Sequence, residues 1–407
     1  MREKYQSKIK ETALAVTENK VSSIRKKEIV KTGCRVYDGK YMGVSGTLGE
    51  AAQDTWKAAE DNLKLEIEYP FEPVKGIVKT VDLREHDTTD EELMNTAEEI
   101  LEYLVKEHPE FSYSGKISMC ECEYRLTNEL GTELVSRDKS MSAYVDVKEL
   151  ASVNIMDTVI GLESRNFSKE RFYELADDML KAYLNKVEMP KEEMYVVITP
   201  STMLRKLNQD LNGEALGRKT SLLADRMGRQ VFSEKLTVYK DSTGEVYMNQ
   251  PFFDTEGTFN EDSRLPLIEK GIPVSPYTDK KTAKEFGMPL TGNAAGAYDD
   301  VPMIGDCLLN IKSSGKTLKE LLAGRPGLVV VLSSGGDFTS AGDYAAPVQL
   351  AMLTDGERLI GRLPECSISG NIFDLLGKDY IGLSEDKLLY DEKSLVVRMK
   401  IGGKSQS

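Results

Sequence analysis

The sequence predicts an α+β fold: N-terminal α/β segments built on antiparallel hairpins, followed by a strand-rich, barrel-like C-terminal domain. Three observations predict it. Asp-Gly and similar turns separate apolar runs along the whole chain. Amphipathic helices opened by polar caps fall mostly before residue 190. After Pro190 the chain becomes rich in strand patterns and glycine-containing loops. The 407 residues exceed what one hydrophobic core usually organises, about 250–300 residues. The expected division is 1–70, 88–188 and 192–403, with linkers at Tyr69–Pro73 and Val187–Pro190. The tail 404–407 reads as mobile.

Taken in order, CRVYDGKYMGV places a hairpin turn at Asp38-Gly39, since that pair tolerates the positive φ of a two-residue turn. Thr47 with Glu50 has the capping-box spacing and predicts a helix through Trp56, Ala59 and Leu63. Thr89 with Glu92 predicts another, with Leu93, Ala97, Ile100, Leu101 and Leu104 on one face and Pro109 as its stop. YRLTNELGTELVS reads as a hairpin, and Lys169 to Lys186 as a helix with Phe172, Leu175, Met179, Leu180 and Tyr183 at helical spacing. Beyond Pro190, LTVYKDSTGEVYM and QLAMLTDGERLIG read as hairpins, and Thr317 with Glu320 opens the short helix TLKELLAG. Tight turns require antiparallel pairing, because parallel strands need long crossovers.

Composition is that of a globular protein, with 40% hydrophobic and 29% charged residues, which excludes a collagen-like or wholly disordered chain. The net charge of −14 repels phosphate backbones, so no nucleic-acid partner is expected. The one basic run, Arg25-Lys26-Lys27, meets Glu28 at once and reads as the solvated end of a strand. No apolar run approaches membrane-spanning length, and the charged N-terminus lacks a signal-peptide core, so a cytoplasmic protein without a membrane partner is expected. Five scattered cysteines give no disulfide framework.

Candidate chemistry is sparse. The two histidines, His86 and His108, lack a second imidazole or thiol at ligand spacing; His108 reads as a cap for the carbonyls ending its helix. Cys120 and Cys122 share a strand face and read as small buried hydrophobes or, with two more ligands, a soft-metal site. No Ser-His-Asp or Cys-His arrangement is discernible, while a Ser–Lys dyad stays open. Asp254 and Glu256 stand two apart before Gly257, as a carboxylate pair for acid–base work, for a cation, or as a polar strand end. Two loops, LTGNAAGAYDD (290–300) and SSGGDFTSAGDY (333–344), have small residues that let another backbone approach, although the second lacks the phosphate-loop pattern.

Five stretches together resemble the TldD/PmbA family, described as metalloproteases and as modulators of DNA gyrase. They are ALGRKTSLLADRMGRQVFSEKLTVYKD (215–241), FFDTEGT (252–258), LIEKGIPVSPYTDKKTAKEFGMPLTGNAAG (267–296), the span 335–376 and SLVVRMKIGG (394–403). One kind of family member binds zinc through an HExxxH helix just before the Arg-Lys segment and a late cysteine. Here the matching window, MLRKLNQDLN (203–212), has no histidine; Arg205, Lys206 and Asp210 stand about where the motif would be, and 376–393 has no cysteine. The chain therefore resembles the PmbA (TldE) type. That resemblance implies a non-catalytic, peptide-binding subunit: no metal or cofactor of its own, zinc only in the partner, and unfolded peptides or peptide precursors as substrate. The implied partner is an HExxxH-bearing TldD-type paralogue in a heterodimer, or the chain itself in a homodimer. Two alternatives stay open: a peptidase in its own right, or a homodimeric binding protein without protease activity. The candidate peptide-binding residues are Arg218 and Lys219 for carboxyl groups, and Asp254 and Glu256 for an amino end or a cation. Thr291, Gly292, Asn293, Gly335, Gly336 and Asp337 are the candidate backbone-approach sites.

Overall fold

The computed structural model describes residues 1–403; the expected mobile tail, 404–407, lies outside the described residues. The first half supplies β1 (Arg2–Thr17), β2 (Lys20–Tyr37), β3 (Met42–Leu48), α1 (Gln53–Asp61), β4 (Val78–Asp82), α2 (Asp90–Glu107), β5 (Phe111–Asn128), β6 (Glu133–Glu149), β7 (Thr158–Ser164) and α3 (Lys169–Leu184). The second half supplies β8 (Tyr195–Ile198), α4 (Ser201–Leu211), α5 (Gly213–Gly217), β9 (Val238–Asp241), β10 (Arg264–Glu269), β11 (Ile272–Pro273) and α6 (Lys280–Phe286). It continues with β12 (Ala294–Ala295), β13 (Met303–Ile304), β14 (Leu309–Ile311), α7 (Leu318–Leu322), β15 (Gly327–Ser333), β16 (Asp343–Thr354), β17 (Leu359–Arg362), β18 (Cys366–Asn371), α8 (Ile372–Leu375), β19 (Tyr380–Lys387), β20 (Lys393–Val397) and β21 (Lys400–Gly403). The α+β class and the strand-rich C-terminal region are as expected.

A seven-stranded sheet runs β3-β2-β1-β5-β6-β4, with β7 on the other half of β6. Strands from 1–70 and from 88–188 thus share one sheet, because β1 pairs β5 from Glu3↔Asn128 to Val16↔Gly115. The Asp38-Gly39 turn joins β2 to β3 as predicted, with Tyr37↔Met42 closing the ladder. An eight-stranded sheet runs β19-β20-β8-β15-β16-β18-β21, with β17 also on β16. In it β8 and β15 are parallel, at opposite ends of a long connection. A four-stranded sheet, β11-β10-β9-β14, lies beside it in sequence and shares its second core.

The strand β8 shows how the layers stack. Tyr195 and Val197 enter one core with Leu93, Ile100, Phe172 and Leu180 of α2 and α3 and with Ile117 and Ala143 of the first sheet. Val196 and Ile198 point the other way, into a core with α4, β9 and β14. A strand buried on both faces reads as the unbroken apolar run seen at 194–198. Helices α2 and α3 are therefore the layer between the two large sheets.

The boxes at Thr89/Glu92 and Thr317/Glu320 form as predicted, each hydroxyl accepting from the third helical N–H while the Glu carboxylate accepts from the cap residue. The box at Thr47/Glu50 does not form. Thr47 lies in β3 opposite Thr32, and α1 starts later, from Ala52, without a side-chain cap. Pairing along β2 takes the backbone that the helix would have used. The stretch after β9 is not a hairpin either; β9 pairs with β10 and β14. Residues 244–249 instead dock on the first sheet, with Arg165 donating to Gly244 O (2.7 Å) and Asn249 N to Asp138 (2.7 Å). Tyr69 in the expected linker is a buried core residue, and Val187 N donates to Arg362 O (3.0 Å). His108 caps no carbonyl with its ring; it is buried with Nε2 2.7 Å from Asp177. Arg25, Lys26 and Lys27 lie within β2, where Lys26 meets Asp90 (2.5 Å). No helix among the described residues is long and apolar enough to cross a membrane.

Candidate functional site

The turn 252–258 is anchored first. Phe252 and Phe253 are buried with Tyr5, Leu126 and Leu134 of the first sheet. Asp254 then folds the chain back: its Oδ1 accepts from Glu256 N (2.9 Å) and Thr258 N (2.8 Å), the competition with backbone pairing for which Asp is suited. Gly257 has φ +76°, a conformation that glycine adopts without strain. The segment is thus a turn and not a strand, and its two carboxylates diverge. Asp254 Oδ2 accepts from Ala294 N (2.9 Å). Glu256 accepts from the Tyr69 hydroxyl and, on Oε2, from Lys280 N (3.0 Å) at the start of α6.

Beneath the 290–296 loop lies Lys240, a residue the sequence did not single out. It is buried, and its Nζ donates to Thr291 O (2.8 Å) and to Gly292 O. The Thr291 hydroxyl accepts from Thr278 N (2.6 Å), and Asn293 N donates to Thr278 O (3.0 Å). A Cβ on Gly292 would stand 2.9 Å from Thr258 O, so the loop and the 254–258 turn are in backbone contact. The candidates Asp254, Glu256, Thr291, Gly292 and Asn293 therefore come together. Thr291 and Asn293 are 1% and 6% exposed, so in this conformation they support the loop and do not face an external ligand.

Burial sets the electrostatics. It lowers the Lys240 ammonium from its ordinary value, opposed by Cys307 and Asp254. It raises Asp254, opposed by the Ala294 N–H and Lys240. Glu256 is raised to about 7, by burial and then by the Asp254 charge, against the Tyr69 and Lys280 hydrogen bonds. The cluster thus holds a buried ammonium on two carbonyls and, separately, two carboxyls that burial pushes up.

The network continues into the first sheet. Arg35 and Glu3, each 1% exposed, lie 3.4 Å apart, Tyr37 donates to Glu3 (2.9 Å), and Arg35 also donates to Thr255 O. None of these was marked in the sequence; an arginine and a glutamate inside strand alternation were the available signals.

The other candidates lie apart from this cluster and are solvent-facing. Arg218 caps the end of α5 and pairs with Glu214 (2.8 Å), and Lys219 has φ +58°. Gly335, Gly336 and Asp337 form a rim beside α4, where Arg205 Nη2 is 3.5 Å from Gly336 O and 3.9 Å from Asp337. On the buried side of α4, Lys206 Nζ and Asp210 Oδ2 pair at 3.1 Å, and Asp210 Oδ1 accepts from Leu222 N (3.0 Å). That donor set does not fit a divalent ion: its carboxylate is taken by an ammonium and an N–H, and no imidazole or thiolate stands with it on the helix. Among the described residues no group of three or more His, Cys, Asp or Glu could hold a metal ion.

A strand-rich C-terminal half with a core on each face, joined to a long-stranded N-terminal sheet, is here a chain of a metallopeptidase-related class, as the family comparison shows. The family model of the PmbA/TldA metallopeptidase C-terminal domain matches residues 191–398. The chain belongs to the TldD/PmbA family. The crystal structure of TldE from Thermococcus kodakarensis shares the fold, with a TM-score of 0.78 and 19% identity, over 99% of this chain and 96% of that one. An uncharacterized protein of Methanocaldococcus jannaschii is 25% identical over 283 residues, 67% of this chain and 64% of the relative. A metalloprotease of the same organism is 29% identical over 160 residues, 39% of this chain and 35% of the relative. The matched stretches thus span less than two thirds of both curated relatives.

Proposed function

We propose that this chain is a non-catalytic, peptide-binding subunit that pairs with a zinc-bearing, HExxxH-type paralogue and acts with it on unfolded peptides or peptide precursors. One observation carries the reading: a buried Lys206–Asp210 pair sits on α4, in the 203–212 window that the family resemblance aligns with the HExxxH helix. An ammonium there repels a cation and occupies the carboxylate. The peptide contacts belong to the accessible rim of Gly335, Gly336 and Asp337 with Arg218 and Lys219, where backbone groups and positive side chains can meet an extended chain. The buried residues Thr291 to Asn293, with Asp254 and Glu256, hold the separate 290–296 loop in place.

The test is co-expression with the HExxxH paralogue of the same cell. The expected result is a stable complex whose peptide cleavage depends on zinc in the paralogue and survives Lys206→Met in this chain. Stoichiometric zinc in the isolated chain, released together with hydrolytic activity by a chelator, would overturn the reading.

A further inference from the structure

The loop joining β6 to β7, residues 150–157, is tightly built around one buried carboxylate. Asp157 Oδ2 accepts from Glu149 N (2.8 Å), and Oδ1 accepts from the Ser152 hydroxyl (2.8 Å) and from Asn154 Nδ2 (2.9 Å). Asp157 N donates to Val147 O (2.8 Å), and Leu150 N donates to Glu110 O (2.9 Å). Asn154 turns back onto Asp157, and its two neighbours point away. Val153 and Ile155 are 99% and 96% exposed, and Leu150 and Met156 are exposed with them. A fixed loop that presents four apolar side chains to solvent is a contact surface, since a mere connection would carry polar residues there.

The same loop forms one wall of a cleft of about 1160 Å³ whose apolar lining includes Leu332, Leu350 and Leu363. The walls differ in charge. Beside the loop stands Asp146, exposed, while Asp157 is committed inside the loop. Across the end of α3 stand Lys186, exposed, and Arg362, whose backbones bridge and whose guanidinium lies over the Tyr183 ring (4.0 Å). With Glu365, the cleft holds two cations and three carboxylates, close to balance in a chain of net charge −14. A nearly neutral face is what two equally acidic molecules need in order to meet. Knob and hole thus lie side by side on one face. A two-fold axis uses both at once, because each copy's loop then enters the other's cleft and each Asp146 side meets the other's Lys186 side.

We propose that this face is a self-association surface, in which the 150–156 loop of one copy enters the cleft beside α3, β16 and β17 of a second copy, and the reverse. The contact joins two copies of this chain, so it is independent of the pairing with a zinc-bearing paralogue and is tested without one.

Sedimentation equilibrium of the full chain alone, over a wide concentration range, measures it. The wild type is expected to be a concentration-dependent dimer. Val153→Asp with Ile155→Asp is expected to weaken that dimer by about a hundredfold or more, since each copy would carry two carboxylates into an apolar lining. Both side chains are solvent-exposed in the single chain, so the thermal unfolding of the variant is expected to match that of dilute wild type. Lys186→Glu is expected to weaken the dimer by about tenfold at low salt and Lys186→Arg to leave it unchanged; this pair decides the matter should the loop variant not fold. A wild type that is monomeric at every concentration, or a loop variant or Lys186→Glu variant that dimerises as tightly as the wild type, would overturn the proposal. So would a monomeric wild type that floats with phosphatidylcholine vesicles while the loop variant does not, because the face would then belong to a lipid surface.

Discussion

The two glycine-containing loops that look alike in sequence, 290–300 and 333–344, are built on opposite principles. The first is buried at 291–294 and sits there on a charged group: Lys240 holds two of its carbonyls, Asp254 holds Ala294 N, and Asn260 Nδ2 donates to Thr291 O (3.0 Å). The second is largely exposed: its ends are held by Ser334 N on Pro347 O (3.0 Å) and by Asn371 and Ile372 on Ala341 O (3.2 Å) and Gly342 O (2.8 Å), while at its rim Arg205 makes one long contact to Gly336 O (3.5 Å). Small residues serve both, yet in the first they let the protein's own backbone come close, and in the second they leave backbone open to solvent. What separates a supporting loop from an available one is whether a buried polar partner lies beneath it.

The sharpest way to break this contrast is Lys240→Met. Gly292 O loses its donor, Thr291 O keeps only Asn260, and Asp254 loses its nearby cation. Three such losses at roughly 1–2 kcal/mol each predict destabilisation of about 4 kcal/mol, read from urea unfolding. A loss below about 1 kcal/mol would mean that the first loop is no more dependent on its base than the second.

A second effect is the pH dependence conferred by the 254–258 turn against which the first loop packs. The folded pKa of Glu256, about 7, lies above its ordinary value of 4.5. The folded state therefore binds a proton that the unfolded state has released. The associated stability is fully present below about 4.5 and is lost as pH rises toward 7, with no further change above it. At roughly 1.4 kcal/mol per pH unit, a rise from 4.5 to about 7 makes the loss about 3.5 kcal/mol. The difference between wild type and Glu256→Gln in chemical denaturation across that window isolates it; a constant difference would remove the carboxyl as its source.

How much of this could be read beforehand follows from the range of the interactions. The Asp38-Gly39 turn and the Thr89/Glu92 and Thr317/Glu320 boxes were legible because each is settled within a few residues. Thr47/Glu50 has the same spacing and failed, since the strand partner Thr32 claims Thr47 first. The candidate carboxylates were found from their spacing, but not that they diverge. Lys240 and Arg35 were invisible, because the carbonyls that give them meaning lie 51 and 220 residues away. That 203–212 hold no histidine is read directly from the sequence, whereas the ion pair there needed the helix to bring Lys206 and Asp210 to i, i+4.

A smaller effect is expected at a crowded point of the second loop. Gly336 has φ +101°, and a Cβ there would stand 2.7 Å from Ala346 Cβ and 2.9 Å from the Tyr344 hydroxyl. Gly336→Ala is expected to cost about 1–2 kcal/mol, from backbone strain and crowding. Thermal unfolding measures it; the figure sharpens the contrast because the strain is local and leaves the 290–300 loop unchanged in exchange.

The smallest effect belongs to Arg205→Ala. The guanidinium reaches Gly336 O and Asp337 at 3.5 and 3.9 Å, with 61% and 95% of the two side chains exposed. An exposed pair of that kind contributes less than about 0.5 kcal/mol and is screened by salt. Stability is therefore expected to stay at the wild-type value in low and high salt, while affinity for an extended acidic peptide falls severalfold, measured by fluorescence anisotropy at low salt. An arginine retained for stability would give the reverse: a clear loss in unfolding free energy with peptide affinity unmoved. That outcome would place the 333–344 loop with the supporting kind and erase the distinction between the two.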